Sequence, residues 1–395
     1  MKGVQQMIKR AQRIQNLQPY LFAQIEAKIE KARREGRDII SLGIGDPDMP
    51  TPEHVVEAGV KGLKDPANHQ YPSSRGMGPF RKAVSDYYGR RFSVGLDPDS
   101  QVCSLIGSKE GIGHIPLCFT DPGRYNLVPD PGYPVYEAGT VFAGGIPHHM
   151  PLLEENGFLP DFTLIPSDVA KNAALMFLNY PNNPTGACAP ASFYREAIAF
   201  AKEHGIILVH DSAYAEITYD GKPAPSILGF EGAMDVSIET GSLSKYFNMT
   251  GWRIGWVVGN PELVGTVATL KSNIDSGAFQ AVQVAATAAL NGPWDAVDKM
   301  REIYRRRKDK VVAALNSMGW NLASPNGSIY IWAKVPDGYT SAGFAEKVFD
   351  ETGVVITPGN GYGKAGEGYF RISLTVKEDQ LDEALARLKS AGIRF

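Results

Sequence analysis

The residues whose types and spacing best suggest chemistry are Ser242-Leu243-Ser244-Lys245, followed by Arg253 within Gly251-Trp252-Arg253-Ile254-Gly255. A lysine among small hydroxyl side chains, with an arginine close behind, is a poor pattern for a solvated surface. It suits a site that holds a phosphorylated carbonyl compound. An amine condenses with an aldehyde only if it is neutral part of the time, and burial near other cations lowers a lysine pKa toward that condition. Ser242, Ser244 and Arg253 can bind a phosphate, the planar guanidinium fork matching an oxyanion. A lysine beside a phosphate clamp points to pyridoxal 5′-phosphate.

A pyridine aldehyde makes three further demands. Its ring nitrogen stays protonated only beside a buried carboxylate, and Asp211, at the end of the apolar run Ile206-Ile207-Leu208-Val209-His210, stands where a central strand delivers one. Its ring oxygen needs donors, which Tyr214 and the Asn183 of Asn179-Tyr180-Pro181-Asn182-Asn183-Pro184-Thr185-Gly186 can supply. Its phosphate needs backbone N–H groups at a helix start, and Gly107-Ser108-Lys109-Glu110-Gly111 follows a strand-like run. Taken singly, Lys245 reads as a surface lysine, Asp211 as a helix N-cap and the serines as backbone partners. The constellation favours the cofactor.

Those side chains must be delivered by regular elements. Short apolar runs bounded by turn residues occur at 102–106, 125–128, 174–178, 206–209, 236–239 and 255–258, with helix-length stretches at 80–88 and 193–202 between them. Strands buried on both faces and alternating with helices predict an α/β fold with a largely parallel sheet and helices on both faces. An amphipathic helix is expected at 25–34, ahead of an extended segment at 39–43. From about residue 295 the texture changes to a charged helix (297–315), strand-like runs at 329–333 and 369–374 and a last helix at 377–388, a smaller α+β unit. Arg305-Arg306-Arg307-Lys308 reads as a solvated helix face. Gly361-Tyr362-Gly363-Lys364-Ala365-Gly366 spells a dinucleotide-type glycine pattern, but it leads into a strand instead of a helix, so the phosphate logic fails.

The 395 residues exceed what one ordinary core accommodates, since single cores stop growing near ~250–300 residues. Forty Lys and Arg against 43 Asp and Glu leave a net charge of −3, which supplies no field for nucleic acid or an anionic membrane surface. No stretch has the apolar length of a membrane span, and the first residues carry charges where a secretion signal needs apolar ones, so a cytoplasmic location is expected. Cys103, Cys118 and Cys188 form no close pair, which argues against disulfides and thiolate zinc. The histidines lack a ligand spacing, and no metal is expected.

Asn182-Asn183-Pro184-Thr185-Gly186, the Asp211 and Tyr214 pair, Ser242-x-Ser244-Lys245 with Arg253, and Phe370-Arg371-Ile372-Ser373 resemble, in this order, the class I aminotransferases of the fold type I pyridoxal-phosphate family. The resemblance runs from about residue 39 to the end. It implies a large cofactor domain over 50–290 and a small domain built from 1–49 and 291–395. It also implies a homodimer with shared sites, acting on amino-acid and 2-oxo-acid substrates.

By position, the resemblance implies that Lys245 carries the cofactor as an imine and then moves the substrate proton. Asp211 pairs with the ring nitrogen, Asn183 and Tyr214 meet the ring oxygen, and Tyr133 stacks on the ring. Ser108, Lys109, Ser242, Ser244 and Arg253 hold the phosphate, with Tyr71 arriving from the neighbouring subunit. Arg371 clamps the substrate carboxylate and Gly45 lies against it, while Tyr133 and Asn183 also face substrate.

Further stretches, among them Pro19-Tyr20-Leu21-Phe22, Leu42-Gly43-Ile44-Gly45-Asp46 and Lys271-Ser272-Asn273-Ile274-Asp275, are similar to the branch that acts on LL-2,6-diaminopimelate. That implies amino transfer to 2-oxoglutarate in lysine biosynthesis, with Tyr20, Lys109 and Asn273 at substrate-contacting positions. The family usually has an acidic residue shortly after Tyr71; here the stretch is Pro72-Ser73-Ser74-Arg75, and a cation facing the site would disfavour a distal ammonium. Transamination of aspartate, alanine or an aromatic amino acid, and carbon–sulfur lysis, stay open at this point.

Overall fold

Alternate residues of the same strand pack on opposite sides of the molecule. Leu175 and Phe177 join one apolar cluster while Met176 and Leu178 join the other. That is the signature of a strand covered on both faces.

In the computed structural model, which describes residues 9–15, 17 and 21–395, the first strand is β1 (Ile40–Ser41). There follow β2 (Val102–Leu105), β3 (Tyr125–Asp130), β4 (Ile146–Pro151) and β5 (Ala173–Leu178). Then come β6 (Ile207–Asp211), β7 (Ser237–Ser242) and β8 (Gly255–Gly259). Strands β2 to β8 form one seven-stranded sheet in the order β2-β8-β7-β6-β5-β3-β4. From β4 through β7 the pairs are parallel, and β8 alone runs against its neighbours β7 and β2. The expected largely parallel α/β sheet is therefore present.

One face is covered by the helices Ser108–Phe119, Val135–Phe142 and Pro261–Ile274 through Ile112, Ile115, Tyr136, Val264 and Val267. The other is covered by Gly78–Phe92, Ala191–His204 and Gln280–Asn291 through Phe80, Val84, Tyr194, Ala197, Ala285 and Leu290. Strand β4 escapes the periodicity reading. It is the exposed edge, and its prolines Pro147 and Pro151 are tolerated because an edge strand has one unpaired side.

The C-terminal strands are β9 (Tyr330–Lys334), β10 (Val354–Val355), β11 (Thr357–Pro358) and β12 (Tyr369–Ser373). Strands β11, β12 and β9 form an antiparallel sheet, and β10 pairs in parallel with β1, so the segment before Gly43 is woven into the far end of the chain. The helix Asp295–Ser317 overturns part of one expectation. Arg305 and Arg306 are solvated, but Arg307 and Lys308 are buried. Arg307 donates both Nη atoms to Asp48, at 2.7 and 2.8 Å, and Nη1 also reaches Leu374 O. A buried guanidinium needs such a bidentate partner, and Asp48 is too far along the sequence for a helical pattern to reveal it.

Candidate active site

In an open α/β sheet, ligands gather beyond the carboxyl ends of the strands, where loops leave the sheet in different directions. Here β6 ends at Asp211 and β7 at Ser242, while β2 leads to Gly107 and β5 to Asn179. Around these ends lies a cavity of about 570 Å³. Its wall includes Ser108, Lys109, Ser242, Ser244 and Arg253 on one side and Tyr133, Asn183, Asp211, Tyr214, Lys245 and Gly45 on the other.

The first group surrounds a helix N-terminus. The helix Ser108–Phe119 starts after Gly107, which has φ 77°. A Cβ at Gly107 would stand 2.3 Å from Arg253 Nη2, so the missing side chain lets the guanidinium close over the turn. Arg253 itself occupies the left-handed region at φ 55°, a strained state for a residue with a Cβ, and its Nη1 donates to Thr250 O at 2.7 Å. Ser242 Oγ accepts from Ser244 N at 3.1 Å and orders that turn. Glu110 braces the start of the helix, accepting from Ile106 N at 2.9 Å and lying 3.5 Å from the fully buried Lys271 Nζ, which Asp275 also holds. The arrangement offers oriented N–H groups, hydroxyls and a cation to an oxyanion.

The second group surrounds a buried acid. Asp211 Oδ2 accepts from Tyr136 Oη at 2.8 Å, and Asn179 Nδ2 donates to the Asp211 carbonyl at 2.7 Å. Burial raises the Asp211 carboxyl above the usual carboxylate range, and the Tyr136 bond and neighbouring His210 offset that only in part. Such an acid is a receptor for a cation brought into the cavity. Lys245 Nζ donates to Gly45 O at 2.6 Å. A Cβ at Gly45 would fall 2.0 Å from Tyr330 Oη, so glycine is what allows this close approach.

Tyr330 connects the remaining parts. Its hydroxyl is 3.0 Å from that of Tyr214, and the Arg371 guanidinium lies over its ring, 3.9 Å from the centroid. Burial pushes the Tyr214 phenol well up. In Tyr330 burial acts the same way, but the charges of Arg371 and Lys245 outweigh it and the net direction is down. Arg371 is wholly buried; Nη1 donates to Asn183 Oδ1 at 2.8 Å and Nη2 to Gly43 O at 2.6 Å. With its oxygen engaged, the Asn183 amide presents N–H donors to the cavity.

Of the expected residues, Tyr71, Asn273 and Arg371 are not on the cavity wall, Arg371 lying wholly buried behind Asn183 and Tyr330. Tyr20 lies outside the described residues. Tyr71 is 87% exposed, and Asn273 sits at the exposed end of the helix Pro261–Ile274, its amide donating to Thr269 O. Arg75 does not enter either: its Nη1 donates to Asp99 O at 2.6 Å. Sequence reasoning missed Tyr136, Tyr330, Glu26 and Asp46, of which the last three line the cavity. Tyr136 was findable, since it stands three residues after Tyr133, at the start of the helix Val135–Phe142. The other three carry no local signal.

The sequence matches the family described as aminotransferase class I and II over residues 37–388. It is 58% identical to the LL-diaminopimelate aminotransferase of Desulforudis audaxviator, covering 96% of this chain and 97% of that one. It is 57% identical to the enzyme of the same name from Moorella thermoacetica, over 97% and 98% of the two chains. Among solved structures, substrate-bound BacF from Bacillus subtilis superposes with a TM-score of 0.95 at 38% identity, covering 98% of this chain and 99% of the other.

Proposed function

The chain belongs to the class I and II aminotransferases, and from that premise we infer that it transfers an amino group between LL-2,6-diaminopimelate and 2-oxoglutarate, a step of lysine biosynthesis. The observation that carries the substrate is the identity of 57–58% with two diaminopimelate aminotransferases over nearly the whole of each chain.

The cofactor in this reading is pyridoxal 5′-phosphate. The donor set fits it: an amine at Lys245, a buried carboxylate at Asp211, and an anion cup whose closure by Arg253 depends on the absent Gly107 side chain. The cavity of about 570 Å³ lies inside the ~300–1,000 Å³ of small-molecule sites. When bound, the group supplies an electron sink for the pair released as the substrate Cα loses its proton.

The chain's residues do the rest. Ser108, Lys109, Ser242, Ser244 and Arg253 hold the phosphate. Asp211 keeps the ring nitrogen protonated, its carboxylate favoured once a cation faces it. Asn183 and Tyr214 bind the ring oxygen, and Tyr133 covers the ring. Arg371, anchored by Asn183 and Gly43 with its guanidinium over the Tyr330 ring, receives the α-carboxylate on its remaining N–H donors. Lys245 collects the Cα proton as general base and returns it, with Gly45 O orienting the ammonium form.

This reading makes the enzyme a homodimer. In support, Tyr71 projects fully into solvent, and Val56, Val60 and Leu63, on one face of the helix Glu53–Lys64, are exposed apolar residues that a partner would cover. The pairing of β1 with β10 supports a small domain built from 1–49 and 291–395 beside a large one at 50–290. No helix among the described residues is long and apolar enough to cross a membrane. We place the activity in the cytoplasm, in keeping with three unpaired thiols.

The test is a comparison of kcat/KM for LL-diaminopimelate, aspartate, alanine and phenylalanine with 2-oxoglutarate as acceptor. The first should lead by about a hundredfold or more, because a site built for polar groups leaves them unpaired with a substrate lacking them. No turnover of LL-diaminopimelate would overturn the assignment.

A further inference from the structure

LL-diaminopimelate differs from most amino donors at its far end, where a second carbon carries both an ammonium and a carboxylate. In the reading above, Arg371 and Lys245 handle the near end. The far charges need partners of their own, since a buried charge without one is costly.

The cavity wall offers few. Lys109 is a cation suited to the distal carboxylate. For the ammonium there are three acids on the wall: Asp211, Asp46 and Glu26. Asp211 would be taken by the ring nitrogen in the reading above. Asp46 directly follows Gly45, whose carbonyl holds Lys245, so it belongs to the reacting end. Glu26 comes from an element that contributes nothing else to the wall, the helix Leu21–Arg34.

That helix is seated firmly enough to aim a side chain. Ile25 and Ile29 pack with Phe349 and Val355, and Ile44 joins them. Ile25 also lies against Gly43, whose carbonyl receives Arg371. Neighbouring charges are engaged elsewhere, Glu30 with Arg34 and Lys28 with Glu346. Glu26 makes no hydrogen bond or ion pair among the described residues. Arg75, whose charge would oppose a distal ammonium if it faced the site, is turned to Asp99 O.

We propose that Glu26 receives the distal ammonium of the diamino substrate and so determines specificity, an assignment that rests on the diaminopimelate reading. It takes the part of the acidic residue missing from the stretch after Tyr71.

L-2-Aminopimelate, which lacks only the distal amino group, isolates the interaction. Steady-state kinetics of wild type, Glu26→Gln and Asp46→Asn would be measured with both donors. For Glu26→Gln the ratio of kcat/KM between LL-diaminopimelate and L-2-aminopimelate should fall about tenfold, the size of a hydrogen bond to a charged group, chiefly through KM. An unchanged ratio in Glu26→Gln, or a fall confined to Asp46→Asn, would overturn the assignment while leaving the diaminopimelate reading intact. A wild type that ignores LL-diaminopimelate would sink both.

Discussion

Asp211 is asked to be buried and ionised at once. Burial raises its pKa, so in the cofactor-free protein this group contributes stability below the unfolded carboxylate value. That stability is lost as pH rises from there toward the folded value. A bound pyridinium reverses the preference. Asp211→Asn should therefore unfold at a higher temperature than wild type when both lack cofactor at pH 7, yet lose about a hundredfold or more of its activity when loaded. A melting temperature equal to or below wild type would show that the carboxylate is not strained. Tyr136, in the first turn of the helix Val135–Phe142, stabilises the ionised form by donating to Oδ2, and it stacks on Phe177 with ring centroids 5.0 Å apart.

Among the elements, the helix Ser108–Phe119 matters through its first turn. Gly107→Ala adds a Cβ where φ is 77° and where Arg253 must lie, so the guanidinium is displaced even if the helix survives. The apparent cofactor Kd, from titration of cofactor-free protein, should rise about tenfold, matching the loss of one charge-assisted hydrogen bond. Unchanged affinity would mean that Arg253 does not hold the phosphate. Most strands that build this site were legible as short apolar runs, such as β5, which is buried at all six positions, whereas β7 is largely polar in sequence. Edge strand β4 was hidden by its prolines and histidines. Lys245, Asp211, Asn183 and Arg253, which the fold brings to one cavity, stood out because few residue types serve the chemistry proposed for them. Tyr330 was not, since a tyrosine in a strand looks like core until its hydroxyl is found beside Gly45, and Glu26 looks like any charge on an amphipathic helix.

At the scale of the whole molecule, an exposed Tyr71 and a half-exposed apolar helix face are the surfaces that the proposed dimer would cover. If Tyr71 completes the partner's site, a Tyr71→Ala chain and a Lys245→Ala chain fail for different reasons and can repair one another. Mixed by unfolding and refolding together, they should form hybrids with one intact site, recovering about a quarter of wild-type activity by random pairing of the two chains. Activity no greater than that of the separate variants would place Tyr71 outside catalysis. The interleaved ends of the chain also bear on how the protein is made. Ile40 pairs with Val354, Asp48 with Arg307, and Gly43 with Arg371. On the ribosome, the segment that presents Gly45 must therefore wait for partners translated hundreds of residues later. The proposed phosphate cup, whose β2 arm pairs with β8, can form once β8 has emerged. In the proposed reading, the growing chain thus acquires a place for the cofactor well before it has any means of gripping a substrate.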